Sequence, residues 1–222
     1  WPQALPIGWI DAGGEPLSPL NREEFFGRLE QAFNGDCAAG LYTGHLITPE
    51  RVALVNDVLA TLEPALYVLD PEWCDRSGRS RVPDEHIRRM SERLLPRAHV
   101  LVCNAQEAER LTGRGIGGPS DMREACRALL DRGLTAAVVT GGHLDGFPRD
   151  IFHDGNGFEE IGGDRIAVKG ELYGAGGILS AAVAAALMRG KEPLQAVVDG
   201  RAYAQKAIRG RLFLGRSQIF EG

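Results

Sequence analysis

The chain has 222 residues, 44% of them apolar and 25% charged, enough to bury a substantial core in one domain or one domain with a small appendage. A net charge of −5 argues against a nucleic-acid binder, and the one basic group (Lys206, Arg209, Arg211 and Arg216) reads as a solvated helix end. No apolar run approaches the ~20 residues of a membrane span, and Trp1 to Ile10 lacks the basic start and long apolar stretch of a signal peptide.

In chain order, Ala4–Ile10 and Gly40–Thr43 are weak strand candidates. Thr48-Pro49 then places a capping hydroxyl before a proline suited to the first helical position, opening a helix over Glu50–Leu62. Ala65–Leu69 is a strand ending at Asp70, Pro83–Leu95 a helix, and His99–Cys103 a strand ending at Asn104. A helix over Ala105–Leu111 follows. Ser120 is the expected cap of another over Asp121–Arg132, whose Met122, Cys126, Leu129 and Leu130 form one stripe before Gly133. Ala136–Val139 is a strand ending at Thr140-Gly141-Gly142. Ile151–Phe158, with its Asp-Gly-Asn-Gly turn, predicts a hairpin. Ile178–Arg189 and Pro193–Arg209 are long helices.

The three strong strands are continuous apolar runs, as in strands covered on both faces. Their alternation with helices predicts right-handed βαβ units and a parallel sheet flanked by helices. Cys37, Cys74, Cys103 and Cys126 form no CxxC pair, so neither a zinc site nor a disulfide framework is expected and a reducing cytoplasm fits. Cys103 reads as a small core residue.

Ligands of open α/β sheets sit outside the carboxyl ends of the strands. Those ends carry Asp70-Pro71, then Asn104-Ala105-Gln106-Glu107, then Thr140-Gly141-Gly142-His143. Singly, Asp70 and Asn104 also read as turn formers or caps; three such ends in succession are more specific. Gly174-Ala175-Gly176-Gly177 runs into an alanine-rich helix. Such a loop offers close backbone approach, unpaired N–H groups and a positive dipole end to phosphate oxygens, and equally suits a tight turn with close packing. A GxGxxG match, Gly113 to Gly118, follows a helix rather than a strand, which disfavours a Rossmann dinucleotide site.

Asp70-Pro71, Ser77-Gly78, Leu94-Leu95-Pro96 and Asn104 to Gly113 resemble successive blocks of the hydroxymethylpyrimidine and phosphomethylpyrimidine kinases. Asp121 to Ala125, Gly141 to Leu144, Gly174 to Leu187 and Arg189-Gly190 continue the resemblance, which spans roughly Gly40 to Arg209. Pyridoxal kinases are a sister branch, which Thr43-Gly44-His45-Leu46 also fits. The resemblance implies a ribokinase-like α/β fold, a three-layer α/β/α sandwich with a mostly parallel central sheet. It implies transfer of the γ-phosphoryl group of ATP, with Mg2+, to a hydroxymethyl group on a small heteroaromatic substrate, in a homodimer. Asn104, Glu107, Thr140 and Gly142 would serve the nucleotide, and Asp70 and Glu107 the metal. Gly174, Gly176 and Gly177 would form the anion hole, and Gly44 and His45 would meet the substrate.

The departures bear on mechanism. The family's loop ends in Cys, or Asp in relatives, as the expected base; here Gly177 stands there. Leu172-Tyr173 replaces Thr-His, His45 replaces the methionine that would touch the pyrimidine, and Glu72-Trp73 replaces Val-Met. The resemblance places Trp1 at about the second strand of the family, so the opening glycine-rich strand and turn are expected to be missing. A catalytically impaired paralogue that binds nucleotide or a vitamin-like ligand is the alternative. His45 and His143 are candidate replacement bases.

Overall fold

The computed structural model describes residues 22–33, 40–74, 78–142, 144, 148–163, 166 and 174–210, with the backbone of 212–214 and 217–219. Six strands form one sheet in strictly sequential order: β1 (Leu41–Thr43), β2 (Tyr67–Leu69), β3 (Val100–Asn104), β4 (Ala136–Thr140), β5 (Arg149–His153) and β6 (Phe158–Gly162). The first four run parallel; β5 and β6 are antiparallel to their predecessors. The expected alternation therefore stops at β4, where the short connection to β5 leaves no room for a crossover helix. The hairpin read at 151–158 joins β5 to β6.

Side-chain alternation along the strands divides the core in two. Tyr67, Leu69, Leu101, Cys103, Ala137 and Val139 point to one face, where they pack with Val52, Ile87, Met90, Leu111, Met122 and Leu129. These come from α2 (Pro49–Leu62), α3 (Asp84–Arg93), α4 (Ala105–Thr112) and α5 (Pro119–Leu130). Val68, Val100, Val102, Ala136 and Val138 point to the other face, covered by Leu179 and Val183 of α6 (Ala175–Met188) and Ala196, Val197 and Ala204 of α7 (Pro193–Arg209). The result is the three-layer sandwich expected from the resemblance. Cys103 is a core residue; burial pushes its thiol well up and that of Cys126 up to about 12, so both are inert.

Local chemistry sets most boundaries. The Thr48 hydroxyl accepts from the Arg51 N–H at 3.3 Å, with Pro49 at the first helical position. Asn104 and Glu107 cap α4 reciprocally. For α5 the capping residue is Gly118, extended, with Pro119 first in the helix; Ser120 lies inside it. Proline there outcompetes the serine that follows it. Two elements were not foreseen. α1 (Arg22–Phe33) lays Phe25 and Leu29 on Val58 of α2. A two-stranded ribbon joins β7 (Leu212–Leu214) to β8 (Ser217–Ile219). Ala4–Ile10, Cys37, Ser77, His143 and Leu172-Tyr173 lie outside the described residues.

Candidate active site at the strand ends and the start of α6

Strand register aligns the carboxyl ends. Thr43 is the partner of Leu69, and Asn104 of Thr140, so Gly44, Asp70, Asn104 and Gly141 leave the sheet along one edge. α6 crosses beneath β1, β2 and β3 and brings its N-terminus to that edge. A Cβ on Gly177 would lie 3.8 Å from the Tyr42 hydroxyl, and the Ser180 hydroxyl adjoins the Asp70 carboxylate.

Gly174 is the left-handed entry to α6, at φ 77°, a conformation that favours glycine. Its carbonyl accepts the Ile178 N–H at 2.9 Å, closing the first turn. The N–H groups of Ala175, Gly176 and Gly177 precede that bond and have no acceptor within the helix. Among the described residues, a Cβ at Gly174, Gly176 or Gly142 would meet nothing within 4 Å. The loop thus presents backbone donors and a positive dipole end with no described group against them, an arrangement suited to an anion.

Facing it is a concentration of carboxylates. Asp70 is 5% exposed and Glu107 is 2% exposed. The Asp70 pKa stands well above the usual range because of burial, then the neighbouring Glu107 and Glu72; the Ser180 hydroxyl and the Glu72 backbone N–H act in the opposite direction. Glu72 is likewise raised, first by burial, while Arg81 and the His45 backbone N–H pull it down. Burial lifts Glu107 to about 7 against three backbone donors: Asn104 at 3.0 Å, Trp73 at 3.0 Å and Cys74 at 3.2 Å.

This is an edge that a cation would relieve. Among the described residues no cluster of three His, Cys, Asp or Glu side chains forms a closed metal cage. Magnesium needs none, since it is held by one or two carboxylates together with substrate phosphates and water. Asp70 fits as such a ligand, whereas the oxygens of Glu107 are already engaged by amides.

Of the expected site residues, Asn104 is a helix cap whose Oδ1 accepts the Glu107 N–H at 2.8 Å. His45 is 9% exposed, has φ 53°, and its Nε2 has no partner among the described residues. Burial, Arg51 and Arg81 lower its pKa, which keeps the ring neutral. Thr140 ends β4 and Gly142 follows it. Their turn is pinned from α7: Arg201 pairs with buried Asp150 and donates to the Pro148 carbonyl at 3.1 Å, while Asp150 accepts the Gly141 N–H at 3.3 Å. Sequence reasoning missed Tyr42, which looks like an ordinary strand residue, and Ser180, which looks like one small residue among alanines. It also missed Arg201, whose partner lies 51 positions earlier.

Comparison with known proteins bears on the fold and the family. A 26% identical solved structure, pyridoxal kinase from Staphylococcus aureus in complex with AMP-PCP and pyridoxal, superposes with a TM-score of 0.79 over 93% of this chain and 75% of that one. A hydroxymethylpyrimidine/phosphomethylpyrimidine kinase of Rhizobium meliloti is 35% identical over 93% of this chain and 78% of its own length. A bifunctional thiamine biosynthesis protein of Geobacter sulfurreducens is 33% identical over 85% of this chain, which spans only 39% of it. The phosphomethylpyrimidine kinase family model matches residues 14–220. With the anion-ready start of α6 set against the carboxylate edge of a ribokinase-like sheet, the chain belongs to the phosphomethylpyrimidine kinase family.

Proposed function

We propose that the protein transfers the γ-phosphoryl group of ATP to a hydroxymethyl group on a small heteroaromatic ring, as in the kinase steps of thiamine biosynthesis. The observation that carries this reading is the opposition of Gly174–Gly177, with three N–H groups free of helix bonds, to Asp70 across the Tyr42–Gly177 contact. Phosphoryl transfer asks a protein mainly for positioning and charge neutralisation, and this edge supplies both. The backbone donors of Ala175, Gly176 and Gly177 receive the charge of the group in transfer. Thr140 and Gly142 line the nucleotide, on the turn that Arg201 and Asp150 hold. Asn104 and Glu107 fix the start of α4 beside it. Asp70 would hold magnesium, with Glu107 contributing its charge; when bound, the ion neutralises the β- and γ-phosphate oxygens. Gly44 and His45 border the acceptor, at the end of β1. The same reading carries a single catalytic domain, a homodimer and cytoplasmic residence; among the described residues no helix is long and apolar enough to cross a membrane.

A second reading, a vitamin B6 kinase, is favoured by His45 where the pyrimidine kinases carry methionine. A coupled ADP-release assay with ATP and Mg2+ across hydroxymethylpyrimidine, its phosphate, pyridoxine and pyridoxal separates the two. Turnover confined to the pyrimidines supports the first reading and turnover confined to the vitamin B6 alcohols the second. Nucleotide binding by calorimetry with no turnover of any alcohol identifies an impaired paralogue.

A further inference from the structure

Glycine at 177 takes away the side chain expected to handle the acceptor's proton, yet the position is not bare. Among the described residues the atom nearest its Cβ position is the Tyr42 hydroxyl, at 3.8 Å. A short side chain at 177 and this phenol would therefore reach into one shared space.

Strand register and chain length bring the phenol there. Tyr42 is the central residue of β1 and pairs with Val68, so its side chain points to the face that α6 covers. Its ring packs against the core that includes Val68, Leu179 and Val183. The hydroxyl reaches on toward the end of the strand, where a Cβ on Gly44 would lie 3.0 Å from it. Any larger residue at 44 would crowd the hydroxyl, so glycine there keeps its approach from the end of β1 clear. The phenol thus stands between the end of β1 and the first turn of α6.

We propose that the Tyr42 hydroxyl supplies the positioning that Gly177 cannot. It accepts a hydrogen bond from the acceptor alcohol and aims the alcohol oxygen at the phosphoryl group held by the turn at Ala175, Gly176 and Gly177. This rests on the kinase reading for the presence of the alcohol and the phosphoryl group. A tyrosine hydroxyl both donates and accepts. Burial first, then Asp70 and Glu72, push its pKa upward, so the phenol keeps its own proton and is not a base.

The proton balance closes without a base. The alcohol oxygen forms the new O–P bond, the bond from the γ-phosphorus to the bridging oxygen breaks, and its electron pair leaves with ADP. The alcohol proton passes to an oxygen of the transferred group, and the phosphomonoester product releases it to water. A loose transition state suits this route, because the alcohol has to be aimed more than deprotonated.

Single-turnover kinetics on four full-length proteins test the role: wild type, Tyr42→Phe, Gly177→Cys and the double variant. Each is assayed with saturating ATP and Mg2+ on hydroxymethylpyrimidine, its phosphate, pyridoxine and pyridoxal. Tyr42→Phe should slow the wild-type rate about 2- to 10-fold, the usual worth of one neutral hydrogen bond. Its melting temperature and its affinity for a non-hydrolysable ATP analogue should not change. In the Gly177→Cys background, where the thiol takes over, the same substitution should cost nothing measurable. A phenol that only fills space predicts full activity in Tyr42→Phe, since the ring is kept. That result overturns the proposal, as do equal losses in both backgrounds, a loss matched by weaker binding of the ATP analogue, or turnover that appears only with Gly177→Cys. Each of these leaves the kinase reading standing. No turnover by any of the four proteins removes that reading and the proposal together.

Discussion

Gly177 sits in ordinary helical backbone; of the glycines in its turn only Gly174 is left-handed. Among the described residues, only the Tyr42 hydroxyl comes near its Cβ position, at van der Waals distance. A side chain at 177 therefore fits without moving the chain, and a carboxylate there gains from the helix dipole. Gly177→Cys and Gly177→Asp should fold with unchanged melting temperature. If general-base catalysis is the missing component, they should raise kcat by up to ~10²–10⁴-fold, the usual range for that contribution. Single-turnover measurements with saturating ATP check this. Asp70 gives a prediction of opposite sign for stability. Its folded-state pKa is raised, so the folded state holds a proton that the unfolded state releases above about 3.8. Stability associated with Asp70 is present at low pH and is lost as pH climbs through the folded value. Asp70→Asn should thus melt higher than wild type, by a larger margin at pH 8 than at pH 5, while losing phosphoryl transfer. Thermal scans at the two pH values read the margin directly. At this scale the sequence disclosed the residue types and hid their partners: Asp70 and Gly177 stand out in the chain, but nothing in it announces that Tyr42 and Ser180 are their neighbours.

Elements carry these residues to their places, and α6 is the most constrained of them. A Cβ on Gly200 in α7 would come within 2.7 Å of Val183 Cγ2 and 3.1 Å of its backbone nitrogen. The two helices therefore cross at backbone contact. Gly200→Ala would push α6 away from α7, at a cost of about 1–3 kcal/mol for overpacking, and would shift the turn at its start. A lower melting temperature with reduced kcat is expected, and denaturant titration alongside steady-state assays measures both. The buried Arg201–Asp150 pair acts on the opposite side of the site. Arg201→Met leaves Asp150 buried without its counter-charge, a change worth about 3–5 kcal/mol where one partner is removed. KM for ATP should rise more than KM for the acceptor, and Asp150→Asn combined with Arg201→Met should recover part of the stability. Of the two readings of the glycine and alanine segment at 174–187, close packing describes the helix behind the turn, and anion binding at the turn belongs to the proposed function. α6 begins at Ala175, three residues before the sequence pattern suggested, because the Gly174 carbonyl accepts the Ile178 N–H and closes the first turn around the glycines. α1 escaped notice because it carries Gly27 mid-helix.

The whole molecule was legible wherever pattern and topology coincide. Continuous apolar strands between capped helices predict a parallel sheet, and the sheet is parallel through β4. What the pattern could not supply is that α2 to α5 lie on one face and α6 and α7 on the other, since an amphipathic stripe does not say which side of a sheet it will cover. The strand order 1-2-3-4-5-6 pairs each strand with its neighbour in the chain, whereas α6 returns to β1, β2 and β3 from far downstream. Contacts of such wide separation form slowly, because the intervening loop must close first. Docking of α6, and with it completion of the site, is therefore expected to set the pace of refolding.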